Sequence, residues 1–320
     1  MSLTSISQRP ALSDQVVHWR GHEFSMRRLD QMSIDAPGNK WFKLRLNLER
    51  ALQQPSRALL TFGGPFSNHL LATARSCRPL GLRCIGLVRG GEVETPVMVA
   101  CRAAGMTLVP ITRAEYREKT DSDFLNGLRA QWNNPWIVPE GGANTLGVHG
   151  AQGVLQREDL DRFDVVAVAV GTGTTLAGMA IKSQGRLPIV GISALKGVDH
   201  RKEIHAHLIR TVGDLEMASE LLANVSIWGD AHEGGFGKTS PKLLTFMQEF
   251  AVQTGVPLDR VYNGKLMMRL DREWLKPKTS QDPLVRHGKR ILIIHTGGTD
   301  PAANRFSVDD GQSSDLPLRP

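Results

Sequence analysis

The chain has 320 residues, 41% hydrophobic and 22% charged, with a net charge of +7, a composition that excludes fibrous, disordered and disulfide-scaffold classes and suggests roughly two domains. Its apolar runs fall short of the about 18 residues of a membrane span, and its polar start lacks the apolar segment of a signal peptide. With Cys77, Cys84 and Cys101 widely spaced and odd in number, basic residues scattered, and two tyrosines in all, neither a disulfide framework nor a nucleic-acid surface is expected, and a cytoplasmic, reducing compartment is.

Residues 1–21 carry no interpretable pattern. From there, short β-branched runs alternate with helical spacing. A helix is expected from the segment at Lys40, its inward stripe Trp41, Leu44, Leu48 and Leu52. Residues 57–62 read as a strand, and Leu70, Leu71, Ala74 and Cys77 recur at helical spacing. Strands are expected at 83–88, 106–111 and 136–138, with helices at 96–104 and 123–132. The Gly141-Gly142 pair breaks the pattern and marks a candidate domain crossing, followed by a helix at 148–157. The alternation restarts at 163–170 (FDVVAVAV), an apolar strand of the kind buried on both faces. Helices at 174–182, 202–211, 215–222, 241–253 and 264–274 and strands at 188–193, 225–228 and 290–295 complete the order, before a polar tail from Ala303 expected to fray. Such βα repetition implies an α/β fold of parallel sheets covered by helices.

Five loops could hold chemistry. Lys40 stands in the first turn of its helix, where the dipole disfavours a cation; an amine so placed sheds its proton more readily, as a Schiff-base lysine must. On that feature alone a surface lysine pointing away is the better reading. Gly63–His69 follows a strand and opens a helix, so Ser67 or Asn68 can cap it, and free N–H groups there can bind a carboxylate. Gly171-Thr172-Gly173-Thr174-Thr175 combines backbone amides, three hydroxyls and a helix start into a phosphate cradle. A dinucleotide reading of that loop weakens because position 176 is Leu and no acid ends the next strand. Gly234–Thr239 resembles the end of a phosphate-binding P-loop but has His232 where the motif needs glycine. Val261–Lys265 pairs with His295–Gly298, the latter beyond the last buried strand, where open α/β sheets bind ligands. The basic run 196–210 reads as a solvated helix face, and its His200, His205 and His207 lack a metal-ligand spacing, so no metal is expected.

With these loops in order, the chain resembles the family of 1-aminocyclopropane-1-carboxylate deaminase and D-cysteine desulfhydrase, a branch of the tryptophan-synthase-β-like (fold type II) pyridoxal phosphate enzymes. The resemblance runs from about Arg28 to Pro301. It is carried by Asn39-Lys40, Ser67-Asn68-His69, Gly141-Gly142-Ala143-Asn144 with Leu146-Gly147, the Gly171–Thr175 loop, Val261-Tyr262 with Gly264-Lys265, and His295-Thr296-Gly297-Gly298. It implies two parallel-sheet αβα domains, residues 1–46 and 150–320 forming the large cofactor domain and 47–149 the small one, in a homodimer. It implies pyridoxal 5′-phosphate on Lys40, with Asn68 at the cofactor's 3′ oxygen, Gly171, Thr172, Gly173, Thr174 and Thr175 around the phosphate, and Thr296 at the pyridine nitrogen. Ser67 and Tyr262 would act at a small amino-acid substrate, held also by Asn68, His69 and Gly142.

The chain departs from the family pattern at Phe42, where the family has Arg, at Asn263, where the cyclopropane deaminases have Glu, and at Phe236, where Tyr is common. The segment Arg28–Gln31 is a worn version of the family's K-R-x-D. Asn263 cannot act as an acid beside the pyridine ring, which favours α,β-elimination from a D-cysteine-like substrate over cyclopropane opening. A relative of weakened activity and a nucleotide-dependent oxidoreductase are the readings of other classes.

Overall fold

The computed structural model describes residues 11–32, 37–90, 94–235 and 237–299; Phe236 and the tail from Ala303 lie outside the described residues. Two sheets organise the chain. The first has six strands in the order β1-β2-β10-β7-β8-β9: β1 (Asp14–Trp19), β2 (His22–Arg28), β7 (Val165–Val170), β8 (Ile189–Ser193), β9 (Val225–Trp228) and β10 (Ile291–His295). The second runs β5-β4-β3-β6: β3 (Ala58–Gly63), β4 (Arg83–Arg89), β5 (Met106–Ile111) and β6 (Trp136–Val138). Every pairing is parallel except that of β1 with β2.

Twelve α-helices among the described residues cover these sheets: α1 (Asn39–Gln53), α2 (Asn68–Cys77), α3 (Pro96–Ala103), α4 (Arg113–Arg117), α5 (Ser122–Gln131), α6 (Thr145–Ala151), α7 (Asp159–Arg162), α8 (Thr174–Ser183), α9 (His200–Val212), α10 (Leu215–Ala223), α11 (Pro241–Thr254) and α12 (Asn263–Trp274). Strand β7 shows why the sequence folds this way. Its Val166, Val168 and Val170 enter the core on one face of the sheet, and Val165, Ala167 and Ala169 enter the core on the other. A strand with no polar residue can exist only where helices cover both faces.

Three expectations need correction. The uninterpreted start contains a β-hairpin: β1 and β2 join through Arg20 (φ 47°) and Gly21 (φ 79°), both left-handed, as a two-residue turn requires. The helix expected at 148–157 begins at Thr145, because the Asn144 side chain accepts from the Gly147 N–H at 2.8 Å, and a 3-10 turn at Gln152–Val154 ends it. The inward face of α1 is Phe42, Lys43, Leu44, Asn47, Leu48 and Ala51, while Trp41 and Leu52 are half-buried. Helix α6 packs on α1 closely enough to bury that second flank: a Cβ on Gly150 would lie 2.0 Å from the Phe42 carbonyl oxygen.

The hairpin is tied to the rest by charge. Arg27 is 1% exposed and grips two carboxylates, Asp14 (2.8 and 2.9 Å) and the fully buried Asp159 (2.8 Å for the closest Nη2 contact), while also donating to the Val154 carbonyl at 3.0 Å. Bidentate pairs of this kind are short and directional.

Candidate active site

The loops after β3, β7 and β10 converge on one cavity of about 1100 Å³ between the two sheets. This is the placement that open α/β sheets give their ligand sites. Lys40, Ser67, Asn68, His69, Gly171, Thr172, Gly173, Thr175, Tyr262 and Thr296 all line it. Two expected residues do not. Thr174 is fully buried behind the loop, its hydroxyl 2.9 Å from that of Thr172. Gly142 faces α1 instead, where a Cβ would lie 3.2 Å from that of Lys43, and Gly141 and Ala143 take the wall.

Lys40 is the second residue of α1. Its ammonium donates to the Asn39 side-chain oxygen at 3.1 Å and stands 6.0 Å from the Tyr262 ring centroid. Loss of water pulls its pKa down to about 8, with Asp259 acting in the opposite sense. An amine attacks an aldehyde only when unprotonated, so attack by Lys40 would follow that titration. Uptake of pyridoxal phosphate by the apo-protein, followed by its visible absorption, is expected to quicken as pH rises through about 8 and then level off. A rate still climbing towards the ordinary value of 10.5 would place the amine in water.

Asn39 binds this lysine to the rest of the site. Its Nδ2 donates to Thr175 Oγ1 at 3.0 Å, and its backbone N–H donates to the Thr296 carbonyl at 3.0 Å. That closeness requires Gly38: its φ is 103°, and a Cβ there would sit 2.5 Å from the Thr296 carbonyl oxygen. Thr296 in turn is held by Asn263, whose Oδ1 accepts from the Thr296 N–H (3.0 Å) and hydroxyl (3.3 Å). The Asn263 Nδ2 donates to the Gly297 carbonyl at 2.8 Å and to Asp259. Asp259 also accepts from the backbone N–H groups of Val261 (3.0 Å), Tyr262 (2.8 Å) and Asn263 (2.8 Å), capping the start of α12. The Tyr262 ring packs on Gly171, whose added Cβ would lie 3.1 Å away. Burial, followed by Asp259, pushes the Tyr262 phenol's pKa up, so it keeps its proton.

The Gly171–Thr175 loop turns from β7 into α8 through Gly173 (φ 74°), which a Cβ would drive to 2.8 Å from Ile204. His207 contacts the Thr172 carbonyl at 2.9 Å, so its Nε2 is the donor; His200 and His205 contact Ser193 and Ser219 instead. The three histidines therefore do not converge.

On the facing loop, the Ser67 hydroxyl accepts from the Leu70 N–H at 3.3 Å, and the Ser67 N–H donates to the Gly64 carbonyl at 3.0 Å. The N–H groups of Asn68 and His69 are then the ones left at the start of α2 for a carboxylate. His69 Nε2 meets Thr61 Oγ1 at 2.9 Å, and that hydroxyl already donates to the Val138 carbonyl at 2.8 Å. Nε2 is therefore the protonated nitrogen, and the buried Nδ1 is an acceptor with no partner. Burial, then Lys43, then Lys40 lower the pKa of His69, keeping it neutral.

Sequence reasoning passed over Lys43 and Asp259. Lys43 is buried in the cavity wall, where loss of water and then Lys40 hold its pKa well below the usual lysine value. No carboxylate among the described residues pairs with it. Its signal was spacing: three residues past Lys40 is the same helix face. The signal for Asp259 was an acid just ahead of the α12 start.

These residues fit pyridoxal phosphate. A phosphate dianion is matched by the glycine-threonine cradle, the α8 start and the Lys43 side chain, and an aldehyde by the half-buried Lys40 amine, whose pKa burial lowers. Comparison with known proteins agrees. The D-cysteine desulfhydrase of Serratia proteamaculans (strain 568) is 29% identical over 314 residues, 93% of this chain and 92% of the relative. A bifunctional D-cysteine desulfhydrase/1-aminocyclopropane-1-carboxylate deaminase, mitochondrial, of Arabidopsis thaliana is 29% identical over 297 residues, 87% and 73% of the two chains. The solved structure of an ACC deaminase homologue superposes with a TM-score of 0.71 at 24% identity over 93% of this chain and 94% of the other, which shows the shared fold. An L-serine ammonia-lyase from Rhizomucor miehei shares it at a TM-score of 0.59 and 16% identity, over 91% and 96%. The family model described as "Pyridoxal-phosphate dependent enzyme" matches residues 30–297, and the chain belongs to that family.

Proposed function

We infer that the protein is a lyase that removes a β-substituent and ammonia from a small amino acid, with D-cysteine-like substrates ahead of 1-aminocyclopropane-1-carboxylate. The observation that carries this is the Lys40 amine, water-stripped and set between the Gly171–Thr175 and Ser67–His69 loops of one cavity. The names of the two relatives support the class. A β-substituted alanine and water give pyruvate, ammonia and the leaving group with its proton.

Bound pyridoxal phosphate supplies the electron sink for the bond broken at the α-carbon. The chain's own residues do the rest. Lys40 takes the α-proton as a base. The N–H groups of Asn68 and His69 hold the substrate carboxylate, and Ser67 keeps its hydroxyl proton available to donate. Tyr262, protonated and packed on Gly171, closes the substrate side. Thr175 and Lys43 hold the phosphate end. The ranking of substrates rests on Asn263: its amide is spent on Asp259, Gly297 and Thr296, and an amide at that position cannot serve as an acid to the pyridine ring. A weaker sink suits elimination, where the leaving group takes the charge away.

We place the protein in the cytoplasm as a homodimer, with residues 1–46 and 150–320 as the cofactor domain and 47–149 as the small domain. Three free, buried thiols support the compartment, and the membership of the two sheets supports the division. The reaction is tested by incubating the holoenzyme with D-cysteine, β-chloro-D-alanine and the cyclopropane acid and assaying pyruvate and 2-oxobutanoate. Pyruvate from the first two is expected; turnover of the cyclopropane acid alone would overturn the ranking.

A further inference from the structure

The residues assigned so far use only part of the cavity wall. At about 1100 Å³ the cavity lies just above the small-molecule range, roughly 300–1,000 Å³, which leaves room beyond a cofactor and a three-carbon amino acid. The remaining lobe has Arg75, Arg89, Lys119 and Glu140 as its charged lining. Two of the cations are fixed by one ring. The Arg89 guanidinium lies 5.3 Å and the Lys119 ammonium 4.5 Å from the Tyr116 centroid, both within cation–π range. Tyr116 is itself buried and stands edge-on to Phe62 of β3, centroids 6.3 Å apart, so the platform is anchored in the sheet. Burial, reinforced by Glu140, keeps its phenol protonated.

Like charges set close together repel unless an anion lies between them. Glu140 answers Lys119 at 3.4 Å. No carboxylate among the described residues pairs with Arg89. The lobe also borders the Ser67 loop on one side and the Gly171–Thr175 loop on the other. A Cβ on Gly64, three residues before Ser67, would lie 3.7 Å from an Arg89 Nη2. A Cβ on Gly141, beside Glu140, would lie 2.8 Å from the Thr172 methyl.

We propose that this lobe receives a negatively charged substituent on the β-carbon of the substrate, a phosphate or sulfonate group, through Arg89 and Lys119. The inference rests on the elimination reading above. In that reaction the α-proton passes to Lys40, a Cα–Cβ double bond forms, and the bond from Cβ to the substituent breaks with its electron pair on the substituent. Phosphate or sulfite thus leaves as an anion, and the two cations meet charge at the point where it grows. A neutral substituent leaves Arg89 unanswered.

The test assays pyruvate release by the holoenzyme from O-phosphoserine, 3-sulfoalanine and β-chloroalanine, each in both handednesses. The quantity read is the ratio of kcat/KM for the charged substrates to that for β-chloroalanine, which cancels general damage to the site. Arg89→Ala is expected to lower that ratio about 10- to 100-fold, the loss of one charge-assisted contact, and Arg89→Lys to recover most of it. Arg89 is solvent-exposed at the end of β4, so both variants should fold. Lys119→Ala, which also releases Glu140 into the lobe, should lower the ratio further. Consumption of β-chloroalanine with no turnover of either charged substrate would overturn the proposal and leave the elimination reading standing. So would a ratio unmoved in all three variants. Failure on every substrate with cofactor bound would overturn both.

Discussion

Lys40→Ala is expected to abolish turnover, with loss of at least about 10³-fold in pyruvate release, while circular dichroism stays that of the parent. The argument has two parts. In the function proposed above, the Lys40 amine both attacks the cofactor aldehyde and takes the α-proton. Lys43 is the rival on the same helix face, with its own pKa lowered by burial and by Lys40, so the variant decides between the two. The variant should also lose the visible band that the cofactor shows on a lysine. Retention of that band would move the attachment to Lys43, and more than about a tenth of parental activity would remove Lys40 from its role.

The second large effect is on stability. Arg27→Met leaves the fully buried Asp159 with no cation and Asp14 with only Arg162, at 3.4 Å. Breaking a buried pair this way costs about 3–5 kcal/mol, because the remaining charge stays out of water. Urea unfolding of the holoenzyme reads the loss. Adding Asp159→Asn should restore a good part of it, since the deepest unpaired charge is then gone. A single-variant loss below about 1 kcal/mol, the range of exposed pairs, would mean that water reaches the Asp159 carboxylate.

Much of this fold could be read in the chain, for reasons that are local. The β7 run is wholly apolar and bounded by an Asp and a Gly, so strand, burial and following loop are all visible in it. The hairpin was missed because Asp14–Trp19 is an edge strand whose alternation is broken by the adjacent Val16 and Val17, and its turn, Arg20-Gly21, lacks the usual Asn or Asp. The face of α1 was misjudged because hydrophobicity alone ranked its positions. Lys43 and Asn47 are buried there for what they touch, the cavity and Asn144, and not for being apolar. At the site, the loops were legible as motifs and their side-chain directions were not. Thr174 and Gly142 belong to the right segments and point away from the cavity, a distinction set by φ and ψ at single residues.

The hydrogen bond between Asn263 and Asp259 bears on how such a site can change over generations. The Asn263 amide nitrogen donates to Asp259 and to the Gly297 carbonyl, and an acid at that position has no such proton to give. It would set a second negative charge against Asp259 in a place water does not reach. Relief by altering Asp259 uncaps the helix that presents Tyr262. Exchanging Asn263 for an acid therefore calls for a matching change at position 259.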